Sequence, residues 1–150
     1  MDERTERDFL RDLEIGHEYE DFVQHVLWER GIVVMLNRSA RYQWRHGEGL
    51  GGIEVKLDRK FRESGNLYIE TAERRTSDGR SAWRPCGPYD NPAPRMLAIG
   101  DYQTIYLLSV RWLFWVEPRC EHHEGKTQKG YKLPVQSASR GAIEVIEVDE

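Results

Sequence analysis

"GGIEVKLDRKFRESGNLYIETAE", residues 51–73, decides how the rest of the chain is read. Ile53, Val55 and Leu57 alternate with Glu54, Lys56 and Asp58, so a strand here sets an apolar face against a charged one. "RESGN" (62–66) supplies turn residues, after which Leu67 and Ile69 alternate with Tyr68 and Glu70. The pattern predicts an antiparallel strand pair whose apolar face packs on a helix and whose charged face stays open.

Upstream, Tyr19, Phe22, Val23, Val26 and Leu27 fall at helical spacing within residues 16–31, and Gly31 is a natural C-terminal cap. Phe9, Leu10 and Leu13 suggest a shorter helical turn before that helix. The β-branched run Ile32–Leu36 predicts a buried strand, and Gly47, Gly49, Gly51 and Gly52 a loop. Downstream, residues 76–94 are rich in Pro, Gly, Ser and Asp and read as a long surface excursion. Strands are expected at Met96–Ile99 and Thr104–Leu108 around a turn at Gly100-Asp101, followed by a short helix from Ser109. Residues 119–130 read as a polar, mobile segment, and "YKLPV" with "AIEVIEV" closes the sheet. The expectation is one domain over 1–150, a single mixed α/β sheet with helices packed on it.

Composition narrows the class. The 150 residues are 39% hydrophobic and 32% charged, enough for one buried core. No run of 18 apolar residues exists, which argues against a membrane span. "MDERTERDFLRDLE" has no apolar signal region and predicts a cytoplasmic protein, in which Cys86 and Cys120 are free thiols. The net charge of −4 hides an asymmetry: residues 32–84 hold 11 basic against 7 acidic residues, a local +4, while the flanks hold 11 against 19, or −8. A basic middle permits phosphate contacts around the expected strand pair, and an ordinary mixed surface would read the same way.

Glu54 and Glu70 on neighbouring strands, with Lys56 two residues from the first, suit the chemistry of a hard divalent cation. Paired strands lie about 5 Å apart, so two carboxylates can share one Mg²⁺ that keeps several waters. A nearby ammonium steadies the attacking hydroxide or the charge growing on a phosphoryl group. Cross-strand ion pairs on a solvated face are the commoner use of such a pattern.

The context resembles the PD-(D/E)XK, or restriction-endonuclease-like, nuclease superfamily. Gly16-x-x-x-Glu20 is similar to the opening helix of Holliday-junction resolvases, and Glu54-Val55-Lys56 has the E-x-K form. The stretch "GIEVKLDRKFRESGNLYIE" resembles phage- and bacteria-associated members with an "EIK-D" strand, a "TGN" turn and an "IE" strand; "CGPYDN…IGDYQTIYLL" and "KTQKGYKLPV" resemble their later blocks. The resemblance covers most of residues 16–148. It implies a restriction-endonuclease-like mixed β-sheet flanked by helices, Mg²⁺- or Mn²⁺-dependent hydrolysis of DNA, and a role for Glu20 in supporting metal or water. Members of this fold often act as homodimers, though nothing in this chain marks an interface.

No Pro-Asp dipeptide precedes the E-x-K form, so two registers remain. In the first, Glu54 and Glu70 are the metal carboxylates and Lys56 has migrated to the neighbouring strand. In the second, Glu54 and Lys56 are the E-x-K pair and Glu48 is the first acid. The first is preferred because a hairpin would bring Glu54 to Glu70; Ala72 stands where the lysine would, which fits a migrated lysine or a weakened site. An alternative class is therefore a nuclease fold without turnover, serving as a DNA- or protein-binding module. Arg38, Arg41 and Arg45, then Arg59, Lys60 and Arg62, then Lys126 and Lys129, are the DNA-contact candidates.

Other motifs carry less. Asp58 shares the face of Glu54 and Lys56 but stands at the strand end, where it could cap the turn. Cys120, His122 and His123 form only one short ligand cluster, against the two of a structural zinc site. His17 and His25 read as surface residues, and Trp112, Phe114 and Trp115 as core rather than a base-stacking platform. Ser-His-Asp, Cys-His and phosphate-loop motifs are absent from the sequence.

Overall fold

Tyr19, Val23, Val26 and Leu27 are buried along one face of α1 (Glu3–Glu29). The helix ends as its sequence requires: Gly31 adopts φ +78°, its N–H reaches the Trp28 carbonyl at 2.9 Å, and the Ile32 N–H reaches Leu27 at 2.8 Å. The computed structural model describes residues 3–32, 35–36, 52–76, 80–90 and 94–149. Glu48, Arg38, Arg41, Arg45 and the glycines at 47, 49 and 51 lie outside these residues. Instead of a turn followed by a helix, α1 is one continuous helix through Gly16. At 27 residues it is about 40 Å long, roughly twice an ordinary strand, so its N-terminal half overhangs the sheet. Phe9, Leu10 and Leu13 are consequently exposed.

Two sheets follow, where the sequence pattern suggested one. The first has the order β1-β2-β5-β6-β9: Met35–Leu36, Gly52–Leu57, Met96–Gly100, Thr104–Ser109 and Glu144–Glu147. Its β1, β2 and β5 are parallel, whereas β5–β6 and β6–β9 are antiparallel. The second, fully antiparallel, has the order β4-β3-β8-β7: Arg84–Pro85, Asn66–Glu73, Gln128–Pro134 and Glu121–Glu124. Short helices α2 (Phe61–Ser64), α3 (Val110–Val116) and α4 (Val135–Gly141) connect the strands. The protein is thus mixed α/β, with helices flanking two sheets. No helix among the described residues is long and apolar enough to cross a membrane.

The first sheet is the middle layer. Ile53, Ala98, Ile105, Leu107 and Ile146 meet α1 on one face. Leu97, Ile99, Tyr106 and Leu108 meet Leu67, Ile69, Tyr131 and Leu133 of the second sheet on the other, joined by Leu113 of α3 and Ala138 of α4. Each fully buried Leu or Ile here contributes about 1.5–3 kcal/mol by leaving water.

Four expectations are corrected. The strands of residues 53–57 and 67–70 do not pair: β2 belongs to the first sheet and β3 to the second. The segment expected to be mobile after Arg119 is the β7–β8 hairpin, whose exposed edge strand "EHHE" carries the charges that discourage edge-to-edge association. Of the aromatic trio on α3, Trp112 packs against the core, but Phe114 and Trp115 are exposed; Phe114 stacks edge-on with Tyr89, and Arg119 lies 4.0 Å from the Trp115 ring centroid. Finally, the charged face of β2, on which Lys56 stays exposed, is turned toward the second sheet and the cleft beside it. Glu54 and Lys56 pair in register with Leu97 and Ile99, so they project on the side of the second sheet.

The hairpin fails because the chain leaves the first sheet at Asp58. Asp58 is 92% buried, with 8% of its surface exposed, and its side chain accepts three backbone N–H bonds. Oδ1 takes Lys60 at 2.9 Å and Phe61 at 3.1 Å, folding the chain into α2; Oδ2 takes Tyr68 at 2.9 Å. Gly65 then turns the chain with φ +76° into β3. The turn-capping use of Asp58 is present, and the same carboxylate also ties the end of β2 to the edge of β3. Asp58→Ala should lower unfolding free energy by about 2–4 kcal/mol, because buried donors lose a charged acceptor. Asp58→Asn, which keeps one acceptor oxygen, should lose less; urea denaturation measures both.

Candidate functional site

Because β2 stacks over the free edge of β3, Lys56 reaches Glu70 although the two residues are on different sheets. Lys56 Nζ lies 3.0 Å from Glu70 Oε1. The other carboxylate oxygen, Oε2, faces the Cys86 thiol, which donates across 3.9 Å. Burial, then Glu70 and Glu73, push that thiol up to about 12, so it stays protonated near neutrality. Burial, followed by Glu70 and Cys86, likewise raises the Tyr68 phenol. Glu70 thus lies between an ammonium and a thiol.

Beside this cluster opens a cleft of about 1120 Å³. Glu54, Lys56 and Leu57 of β2 line it, with Asp12, Ile15 and Gly16 from α1 on one side and residues 123–128 of the β7–β8 hairpin on the other. Asp12, Ile15 and Gly16 recur at helical spacing, so one face of the overhanging half of α1 forms that wall. Arg59, Lys60 and Lys126 line the cleft and are exposed; among the described residues none of them is in an ion pair.

The predicted residues therefore divide. Glu54, Lys56, Arg59, Lys60 and Lys126 converge on the cleft, and Glu70 joins through Lys56. Glu20 sits one helical turn beyond Gly16, half-buried, with Oε2 buried. Arg62 and Lys129 are committed elsewhere. Arg62 Nε is 2.6 Å from Asp101 Oδ2 and its Nη2 is 2.8 Å from Thr104 Oγ1. Burial would raise the Asp101 carboxyl, but Arg62 and the N–H groups of Thr104 and Gln103 outweigh it and hold the group below its ordinary value. Lys129 pairs with Glu124 at 3.6 Å and lies over the Trp83 ring. Glu48 lies outside the described residues.

Among the described residues, no three His, Cys, Asp or Glu side chains stand together as a metal-holding group. In "CEHHE", His122 approaches Glu117 at 3.5 Å and the Cys120 thiol donates to the Val116 carbonyl. Both cysteines are free. Sequence reasoning missed Tyr68, Cys86, His123 and Lys132. Lys132 alternates with the buried Tyr131 and Leu133, so its outward face was legible; its register opposite Tyr68 was not.

Compared with known proteins, the chain matches no family model, no curated protein and no solved structure.

The Lys56–Glu70 pair is partly solvated, with 45% and 19% of the two side chains exposed, so it contributes at most about 1 kcal/mol to stability. Its effect on Cys86 is a sharper readout. Native Cys86 should alkylate slowly at pH 9, because burial and Glu70 keep it a thiol. Glu70→Gln removes a negative neighbour, lowers the thiol's pKa and should speed that alkylation several-fold. Mass mapping of the modified peptides checks it, with Cys120 as the internal reference.

Proposed function

We propose that this chain is a metal-dependent deoxyribonuclease of the restriction-endonuclease-like, PD-(D/E)XK superfamily. The observation that carries the reading is the Lys56 ammonium, held 3.0 Å from Glu70 on the same strand face as Glu54 at a cation-bordered cleft. The loss of the hairpin removes the reason for preferring Glu54 and Glu70 as the paired metal ligands. The proposal therefore takes Glu54 and Lys56 as the E-x-K pair and gives Glu70 the task of orienting Lys56.

The donor chemistry fits a hard divalent ion. Mg²⁺ is commonly held by one or two carboxylates, with waters and substrate phosphate oxygens completing its shell, and Glu54 supplies such a carboxylate beside the cleft. When bound, the ion would lower the pKa of a water and polarise the phosphoryl group. The chain's own residues do the remainder. Lys56 places a positive charge where negative charge develops, Glu70 fixes its direction, and Arg59, Lys60 and Lys126 draw the phosphate backbone into the cleft. Glu20 supports from α1, one turn from the cleft wall.

A second reading, a DNA- or protein-binding module without turnover, draws on Ala72 and on the engagement of Glu70 by Lys56. Incubation with linear, nicked and branched DNA in Mg²⁺ or Mn²⁺ separates the two. Cleavage is expected, with Lys56→Ala and Glu54→Gln each reducing it on the order of 100-fold while Lys56→Ala costs at most about 1 kcal/mol of stability. DNA binding without cleavage of any substrate would overturn the nuclease reading and favour the module.

A further inference from the structure

The floor of the cleft is aromatic as well as charged. Tyr68 lines it, and its ring meets the exposed His123 ring edge-on, with centroids 6.1 Å apart and planes at 75°. This placement is built into the sheet. Gly130 pairs with both Glu70 on β3 and His123 on β7, and a Cβ there would stand 2.7 Å from Tyr68 Cζ and 2.8 Å from its hydroxyl oxygen. Only glycine lets the Tyr68 ring lie down against the β8 backbone. Two steeply inclined rings thus form a corner, with Lys126 on the hairpin side and Arg59 and Lys60 at the end of β2.

That combination decides between nucleic-acid forms. A duplex hides its base faces in the stack and offers only their edges in the grooves, so a ring on a cleft floor would find nothing to stack on. A single strand exposes base faces together with phosphates, the pattern that cationic grooves with aromatic platforms bind.

We propose that the cleft takes single-stranded DNA (a frayed end, overhang or flap) with one base stacked in the Tyr68–His123 corner. The inference rests on the nucleic-acid reading above and names its substrate class. Fluorescence anisotropy of the full chain tests it in EDTA, where turnover is blocked. The probes are a labelled short single strand, a blunt duplex of the same sequence, and that duplex with an overhang. The single strand and the overhang should bind at least tenfold more tightly than the blunt duplex. Tyr68→Ala should weaken single-strand binding about tenfold, within the range of one base–aromatic stack, and Tyr68→Phe should restore it. His123→Ala, at an exposed position, should weaken it in the same direction and serves if Tyr68→Ala does not fold. Equal or tighter binding of the blunt duplex, or indifference of single-strand binding to the ring removals, would overturn the single-strand assignment and leave the nuclease reading standing. No binding of any of the three DNAs would overturn both.

Discussion

One buried carboxylate organises the junction on which the candidate site depends. Asp58 ends β2, starts α2 and binds the edge of β3, using two oxygens for three backbone N–H groups. A buried charge is costly unless hydrogen-bonded, and Asp58 is fully engaged by donors that would otherwise themselves lack partners. Its own N–H continues the ladder of the first sheet by bonding Gly100 at 2.8 Å. One residue therefore belongs to both sheets: its backbone to the first and its side chain to the second. With that junction fixed, Lys56, two residues earlier on the same face, is aimed across the β3 edge at Glu70.

The cleft follows from mismatched lengths. α1 outruns the sheet it packs on, β1 pairs only with Gly52 and Ile53 among the described residues, and the β7–β8 hairpin rises beside β3. The space left between them is bordered by β2 residues whose side chains sit too close to the inter-sheet core for free solvation and too near its edge for full burial. Lys56 and Glu70 satisfy one another there. Arg59, Lys60 and Lys126 remain available at the border of the cleft. Glu70 links the ammonium to the half-buried thiol of Cys86.

Local pattern was legible in the sequence and partnership was not. The helix carrying Tyr19, Val23 and Leu27, its Gly31 cap, the strands at Met96 and Thr104, and the helix after Ser109 all follow from periodicity and capping chemistry. The hairpin did not materialise because alternation specifies which face a residue takes, not which strand lies beside it. β2 and β3 each alternate correctly, yet a connector that includes a helical turn capped by Asp58 sends them to different sheets. The "EHHE" strand escaped because a solvated edge strand has no apolar face to announce it. Arg62 and Lys129 read as DNA contacts because charge alone does not reveal a partner; Asp101 and Trp83 lie far from them in sequence. Lys56 and Glu70 were brought together in the sequence reading by a pairing that is absent, and are brought together in the fold by Asp58 instead.

Asp58 clasps the side of β3 that β4 leaves uncovered, and amide hydrogen exchange at Tyr68 reads that contact. β4 covers β3 only at Ala72 and Glu73, so at Tyr68 that side of β3 has no strand partner, and the Tyr68 N–H bonds a side chain instead. If the clasp holds, that amide is protected to a degree comparable with the core strands in the wild-type protein, and loses its protection in Asp58→Ala while residues of β5 and β6 keep theirs. A Tyr68 amide that exchanges in the wild type as fast as an exposed loop would contradict the account.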